Sequence, residues 1–344
     1  MGIFDSIYGG WIGKCAGCML GKPVEGWSFS EISSRLKRLG EYPLRYYFPS
    51  KFFTLEELAD RRVLVRENIR FVARDDDIDY MVLNLMVLER YGFNFTTLDI
   101  GRMWLSKLPY HCTYTAERVA YRNLVLGFKP PLTALVLNPY REWIGARIRA
   151  DIWGLIAPGK PDLACSLALR DARLSHSGEG IAAALLQAIL VSQAYNIKSV
   201  EELIEDALNR IPHKYKMWHA VKYVLDLWRK GLDWDKALKT ILKAFSHYPT
   251  AHSINNTAIE IFALLWSEGD FSRGITLAVM AGLDTDCNGA NVGCILGVLN
   301  GFSRIPEEWY KPLNDKVITA LAETQVLSIR ELAERTMRLL EVGG

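Results

Sequence analysis

Asp75-Asp76-Asp77, with Asp79 close behind, and Asp284-Thr285-Asp286 are the residues of this chain whose types and spacing are best suited to chemistry. Adjacent carboxylates repel one another and are costly to hold together unless a cation neutralises them. Both groups run into apolar, helix-periodic sequence (ARDDDIDYMVLNLMVLERYG and AGLDTDCNGANVGCILG), which places the carboxylates where a loop meets a helix. Hard oxygen ligands drawn from two chain positions suit magnesium or manganese. One cluster alone reads equally well as an acidic helix start favoured by the macrodipole. Two clusters, each walled by small and apolar residues, favour a metal centre.

Other candidates are weaker. Cys15-Ala-Gly-Cys18 has the C-x-x-C spacing of zinc and redox sites but no second pair, and its neighbours read as a glycine-rich helix. Residues 127–142 form the longest irregular stretch, with three prolines, and lead into Trp-Ile-Gly145-Ala-Arg147-Ile-Arg149. That stretch is either a stiffened surface connection or a functional loop. In the second case Arg147 and Arg149 face a phosphate or carboxylate. His252-Ser-Ile-Asn255-Asn256 reads as a helix cap or as a pocket rim. Thr113-Tyr-Thr-Ala-Glu117-Arg118 is a further segment placed near the pocket, with no local feature to decide it.

The elements that must position these groups are helical. Residues 79–92 place Tyr80, Leu83, Val87 and Tyr91 on one side, at spacings of three and four. Residues 180–195 are apolar nearly all round, the mark of a buried central helix. Helices are also predicted over 213–230, 234–246, 256–267 and 289–301, and capping boxes at Ser28/Glu31, Thr54/Glu57 and Ser328/Glu331. Strand signals at 44–48 and 62–65 amount to a small ribbon at most. The expected architecture is one compact, all-α domain over residues 1–344, since half of the residues are hydrophobic and can bury a large core.

A net charge of +2 from 41 basic and 39 acidic side chains argues against a nucleic-acid face or a polybasic membrane patch. No leader pattern opens the chain, and polar residues break its longest apolar stretches, so no membrane span is expected. Six scattered cysteines fit reduced thiols in a cytoplasmic protein better than a disulfide framework.

In their order along the chain, four pieces resemble the ADP-ribosylglycohydrolase family, which includes the glycohydrolase that reactivates dinitrogenase reductase. Gly17-Cys-Met-Leu-Gly21-Lys-Pro-Val-Glu25 resembles the family's glycine-rich first helix ending in an acidic residue. Asp75-Asp76-Asp77 falls on its Thr-Asp-Asp metal motif, and Gly282-Leu-Asp284-Thr-Asp286 on its second metal motif. Leu174-Ser175-His176-Ser177-Gly178 resembles the segment lining the ribose and phosphate pocket, and residues 138–149 correspond more loosely to the glycine-rich loop around the distal ribose. The resemblance runs from about residue 6 to residue 302.

It implies an all-α orthogonal helical bundle with two divalent cations, Mg²⁺ or Mn²⁺, held by Asp75, Asp76, Asp77, Asp284 and Asp286. The expected activity is hydrolysis of an N- or O-glycosidic bond to (ADP-)ribose through a cation-organised water, with Glu25 as acid or base and Asp286 beside it. Gly145, Arg147, Arg149, His176, Ser177 and Gly178 are the expected substrate contacts. The substrate is an ADP-ribosylated protein or a smaller ribosyl metabolite. The sequence departs from the family pattern at Asp75 and Cys287, where threonines are usual, at Ile78, and at Cys18, where an acid is usual. These departures keep a second reading open: a non-catalytic ADP-ribose-binding or crystallin-like structural member of the fold.

Overall fold

Gly9, Gly13, Gly17 and Gly21 recur at every fourth position of the first helix, Ile3–Gly21, and so make one smooth stripe along it. Gly289, Gly293 and Gly297 do the same on the helix Thr285–Asn300. In the computed structural model, which describes residues 2–343, the two stripes lie against each other and antiparallel. A β-carbon on Gly13, Gly17 or Gly21 would come closer than 3.0 Å to the backbone of Gly293, Gly289 or Thr285. The C-terminal end of the first helix thus meets the N-terminal end of the other. Thr285 Oγ1 seals the junction by donating to the Gly21 carbonyl oxygen at 2.8 Å.

With this pair included, the described residues form eighteen α-helices and a single two-stranded ribbon, the all-α bundle expected. The predicted helices appear as Asp76–Tyr91, Gly178–Gln193, Lys216–Arg229, Trp234–Ala244, Ser253–Ser267 and Thr285–Asn300. Gly178–Gln193 is buried on nearly every side. Thr54 and Glu57 form a complete capping box. Ser28 and Ser328 each accept from the third-position N–H, at 3.2 and 3.0 Å.

The ribbon is not where the sequence placed it. Residues 44–48 and 62–65 are irregular, and in the first of them Tyr47 and Phe48 pack on aromatic neighbours instead of strand partners. Phe48 lies 4.6 Å from Phe52 between ring centroids, and the Tyr47 hydroxyl donates to the Trp309 carbonyl oxygen at 2.8 Å. The strands are Val317–Ile318 and Val326–Leu327, with Val72 bridging Val317 just ahead of the first acidic cluster. Asp79 joins the ribbon to that cluster, accepting from the Ala320 N–H at 2.9 Å and from Arg74 at 2.8 Å. Among the described residues no helix is long and apolar enough to cross a membrane.

Candidate functional site

Both acidic clusters sit at helix N-termini, where backbone N–H groups and the helix dipole favour negative charge. Asp75 is the N-cap of Asp76–Tyr91 and accepts from the Asp77 N–H at 2.9 Å. Asp284 is the N-cap of Thr285–Asn300. The chain reaches Asp284 through Gly282 and Leu283, both at positive φ (82° and 67°), and Leu283 is a residue type that rarely adopts this conformation. The turn is held by a short antiparallel pairing, with the Gly26 N–H on the Leu283 carbonyl oxygen at 2.8 Å and the Leu283 N–H on that of Trp27 at 3.0 Å. This pairing delivers Glu25. One carboxylate oxygen from each of Glu25, Asp284 and Asp286 lies within 4.8 Å of the others, and ligand atoms of Asp77, Asp286 and Cys287 form a second such group. Asp286 belongs to both.

Two lysines that the sequence reading passed over enter the same region. Lys14, Cys18 and Lys22 follow Gly13, Gly17 and Gly21 by one residue, and so form the next stripe round the first helix. The glycine stripe docks on Thr285–Asn300, and the stripe beside it faces the acids. Lys22 pairs with Asp75. Lys14 is wholly buried, 3.0 Å from Asp77 and 2.8 Å from Asp151, with further bonds to the Ile148 carbonyl oxygen at 2.6 Å and to Asn291 at 3.0 Å.

The electrostatics follow from this wiring. Burial alone would raise the Asp75 carboxyl, but Lys22 outweighs it and holds Asp75 below its ordinary range. Asp77 is pushed up to about 7 by burial, with Asp75 and Asp286 opposing the pull of Lys14. Asp286 is pushed up to about 7 by burial and then by Glu25 and Asp75. Asp76 and Asp284 are driven well above the usual range, by burial and then by their carboxylate neighbours. Glu25 is reached by solvent at the mouth, yet surrounding protein and Asp75 raise it. Negative charge therefore exceeds what the lysines neutralise.

The residues fit a hard divalent cation. Asp286 Oδ1 and Asn288 Oδ1 are buried with no hydrogen-bond partner, and the Glu25, Asp284 and Asp286 group is all oxygen. Cys287 fits such an ion poorly. Its thiol is kept protonated by burial and by the neighbouring carboxylates, and it donates to Asp77 Oδ2 at 3.1 Å. Cys15 and Cys18 are buried free thiols with raised pKa values, that of Cys15 to about 12 by burial, so they are poor candidates for metal or redox chemistry.

Arg147 and Arg149 are fully buried and engaged, so neither guanidinium is free to meet a phosphate. Arg147 pairs with Glu260 and donates to the Ala183 carbonyl oxygen at 3.1 Å. Arg149 reaches Asp171 at 3.0 Å, Glu117 at 2.6 Å and Ser175 Oγ at 2.8 Å. A β-carbon on Gly145 would overlap the Glu117 carboxylate, so this glycine makes room for that ion pair. His176 is buried against Ser175 Oγ at 2.8 Å, with its Nε2 unpartnered. Gly178 packs on Glu142, whose carboxylate accepts from the Glu179 N–H at 3.4 Å, so an acid already stands at that helix start beside Ser177. His252 caps the helix Ser253–Ser267, accepting from the Ile254 N–H at 3.2 Å. Asn256 Oδ1 accepts from the Asp284 N–H at 3.3 Å and from Asn288 at 2.9 Å, which ties this helix to the second acidic motif.

Residues 1–340 match the model of the family described as ADP-ribosylglycohydrolase. The chain belongs to this family. The family supports glycohydrolase activity on ADP-ribose-type substrates. A solved structure titled "ADP-ribosylglycohydrolase-related protein complex" superimposes with a TM-score of 0.66 over 99% of each chain at 22% identity, and so shares the ADP-ribosylglycohydrolase fold. No curated protein matches the sequence significantly.

Proposed function

We propose that this protein hydrolyses an N- or O-glycosidic bond to (ADP-)ribose, with magnesium or manganese held by Asp284 and Asp286 together with the Asp75–Asp77 cluster, and Glu25 beside it. The reading is carried by the convergence of Glu25, Asp284 and Asp286, with Asp286 Oδ1 buried and unpartnered. A cation bound there supplies positive charge that orients the ribose diol and polarises the attacking water. The protein's own groups do the rest. Glu25 stands at the mouth with a raised pKa, suited to giving a proton to the leaving nitrogen or oxygen and to taking one from water. Asp286 faces Glu25 and orients the water against the anomeric carbon. The turn through Leu283 fixes the distance between the two carboxylates.

Residues from both ends of the chain build this centre, in keeping with a single domain. Six free cysteines suit a cytoplasmic setting. The near-balanced charge gives no support to a nucleic-acid partner.

The test is to incubate the full chain, with Mg²⁺ or Mn²⁺, with ADP-ribosylated proteins and with nucleosides, following release of ribosyl product. Release that requires the cation supports the reading. Tight ADP-ribose binding without any release would instead favour a non-catalytic member of the fold.

A further inference from the structure

The large apolar side chains that stay exposed concentrate between Leu105 and Leu137. Two helices there, Thr115–Val125 and Leu132–Leu135, fold into one knob, because Asn123 Nδ2 donates to the Thr133 and Val136 carbonyl oxygens at 2.9 and 2.8 Å. Asn123, Thr133 and Ala134 take its buried side, which leaves Val125 and Leu126 exposed by 67% and 65%, with Leu132 and Leu135 also outside. Leu137 follows at 79% exposure and at a φ of 48°, a conformation that glycine adopts far more readily. A leucine there gains neither burial nor an unstrained backbone, so the fold itself gives no reason for it. The charge around the knob has one sign. From residue 100 to residue 141 the only carboxylate is Glu117, which is buried against Arg149. Arg118 shares the outer stripe of Thr115–Val125 with Tyr114 and Val125, its guanidinium 5.6 Å from the Tyr114 ring centroid. Leu98, Lys129, Pro130, Pro131 and Arg173 line an adjoining groove of about 520 Å³. Asp99, which follows Leu98, is already taken up by Thr96 and by Arg102 at 2.8 Å. Arg118, Lys129 and Arg173 form no ion pair among the described residues.

We propose that this face docks an acidic protein segment that carries apolar side chains. The leucines of the knob take its apolar side, and Lys129 and Arg173 take its carboxylates along the groove. Charge complementarity selects that occupant. A second copy is disfavoured, because a two-fold contact would set Arg118, Lys129 and Arg173 against their own copies with no carboxylate to offset them. A lipid surface ordinarily takes about four to eight clustered cations, whereas this face offers Arg118, Lys129 and Arg173. Exposed tyrosine and arginine side by side, as Tyr114 and Arg118 are, belong to the residue types that carry most of the binding energy between proteins. The stripe begins beside the acidic centre, since the Tyr114 hydroxyl accepts from Arg74 at 3.0 Å and Arg74 precedes Asp75. Docking on the knob does not depend on the reaction proposed above.

The test uses a fluorescein-labelled helical peptide of leucine and glutamate and its leucine–lysine counterpart. Each is titrated with the full chain and followed by fluorescence anisotropy. The glutamate peptide is expected to bind saturably and to weaken as salt rises, and the lysine peptide not to bind. Lys129→Glu combined with Arg173→Glu is expected to weaken the glutamate peptide by more than about tenfold, and Leu126→Ser by about as much. Leu137→Gly separates docking from folding. Glycine suits the positive φ, so affinity is expected to fall while the melting temperature does not. The proposal is overturned by a glutamate peptide that does not bind, by equal binding of the lysine peptide, or by an affinity that Leu126→Ser and the double variant leave untouched. A dimer in sedimentation velocity that Leu126→Ser dissolves would also overturn it, giving the face to a second copy. Binding to phosphatidylserine vesicles that Leu126→Ser abolishes would overturn it in favour of a membrane.

Discussion

Gly17 and Gly289 meet backbone to backbone: a β-carbon on either would fall closer than 3.0 Å to the carbonyl oxygen of the other. The first helix and Thr285–Asn300 are therefore spaced by their main chains, and the acids at their meeting ends inherit that spacing. Gly17→Ala is expected to destabilise the protein by about 3 kcal/mol, the upper range for overpacking where no flexible side chain can yield. Urea denaturation of the variant measures this, and a loss under about 1 kcal/mol would mean that the helices can part without penalty.

Stripping the cation is expected to lower the melting temperature, and restoring it to raise stability in proportion to the logarithm of its concentration. At a free cation concentration one hundred times the dissociation constant the gain is about 2.7 kcal/mol. A melting curve unmoved by chelator and by added Mg²⁺ or Mn²⁺ alike would contradict a metal held by Asp284, Asp286 and the Asp75–Asp77 cluster.

Glu25→Gln preserves shape and removes the ionisable group. Proton transfer by a positioned side chain is worth about 10²–10⁴ in rate, so kcat is expected to fall by that order while ADP-ribose affinity changes little. Full turnover in the variant would exclude Glu25 as the acid or base.

Arg147→Met strands the buried Glu260 carboxylate, whose other described partner is Asn291 at 2.8 Å. Breaking a buried pair from one side costs about 3–5 kcal/mol. The double variant Arg147→Met with Glu260→Met should recover most of that loss, a non-additivity read from a double-mutant cycle. A raised KM for a phosphorylated substrate with unchanged stability would return Arg147 to the substrate-binding role expected of residues 143–149.

His176 sets a pH dependence of stability. Burial first, and the Arg149 guanidinium next, hold its imidazole well below the ordinary value, while Glu117 lies 3.8 Å away. The folded protein keeps His176 neutral, whereas the unfolded chain takes up a proton below about pH 6.5. This contribution is therefore complete above about 6.5 and is lost as pH falls from there toward the folded value, at up to about 1.4 kcal/mol per pH unit. Comparing wild type with His176→Asn between pH 7 and pH 5 isolates it, since other groups titrate alike in both. Parallel curves would show that His176 takes up its proton in the folded state.

The acidic clusters were legible because Asp75–Asp77 and Asp284–Asp286 announce themselves by residue type and by the helices that follow. Their meeting with Glu25 was readable only through resemblance, because the deciding contact is a pairing of residues 26–27 with 283 that no local pattern encodes. Lys14 and Lys22 were missed because a lysine in a helix ordinarily reads as a solvated face. The usable signal was each lysine directly following a glycine of the stripe. The burial of Arg147 and Arg149 was hidden for the converse reason. Their partners Glu260, Glu117 and Asp171 lie on other helices, and nothing in residues 143–149 foretells them. The ribbon was misplaced because short apolar runs bury equally well against aromatic rings, as Tyr47 and Phe48 do.

The bond from Thr285 to Gly21 joins residues 264 positions apart. On a ribosome adding about 5–20 residues per second, the first helix waits roughly ten to fifty seconds for the segment that covers its glycine stripe. The partners of Lys14 are complete only then, since Asn291 arrives near the end, after Asp77 and Asp151. A chain that stops short of that helix lacks Asp284 and Asp286 and has no centre at all. Translation thus delivers this centre in an all-or-nothing manner: no nascent fragment holds it before the last rung of the glycine ladder closes.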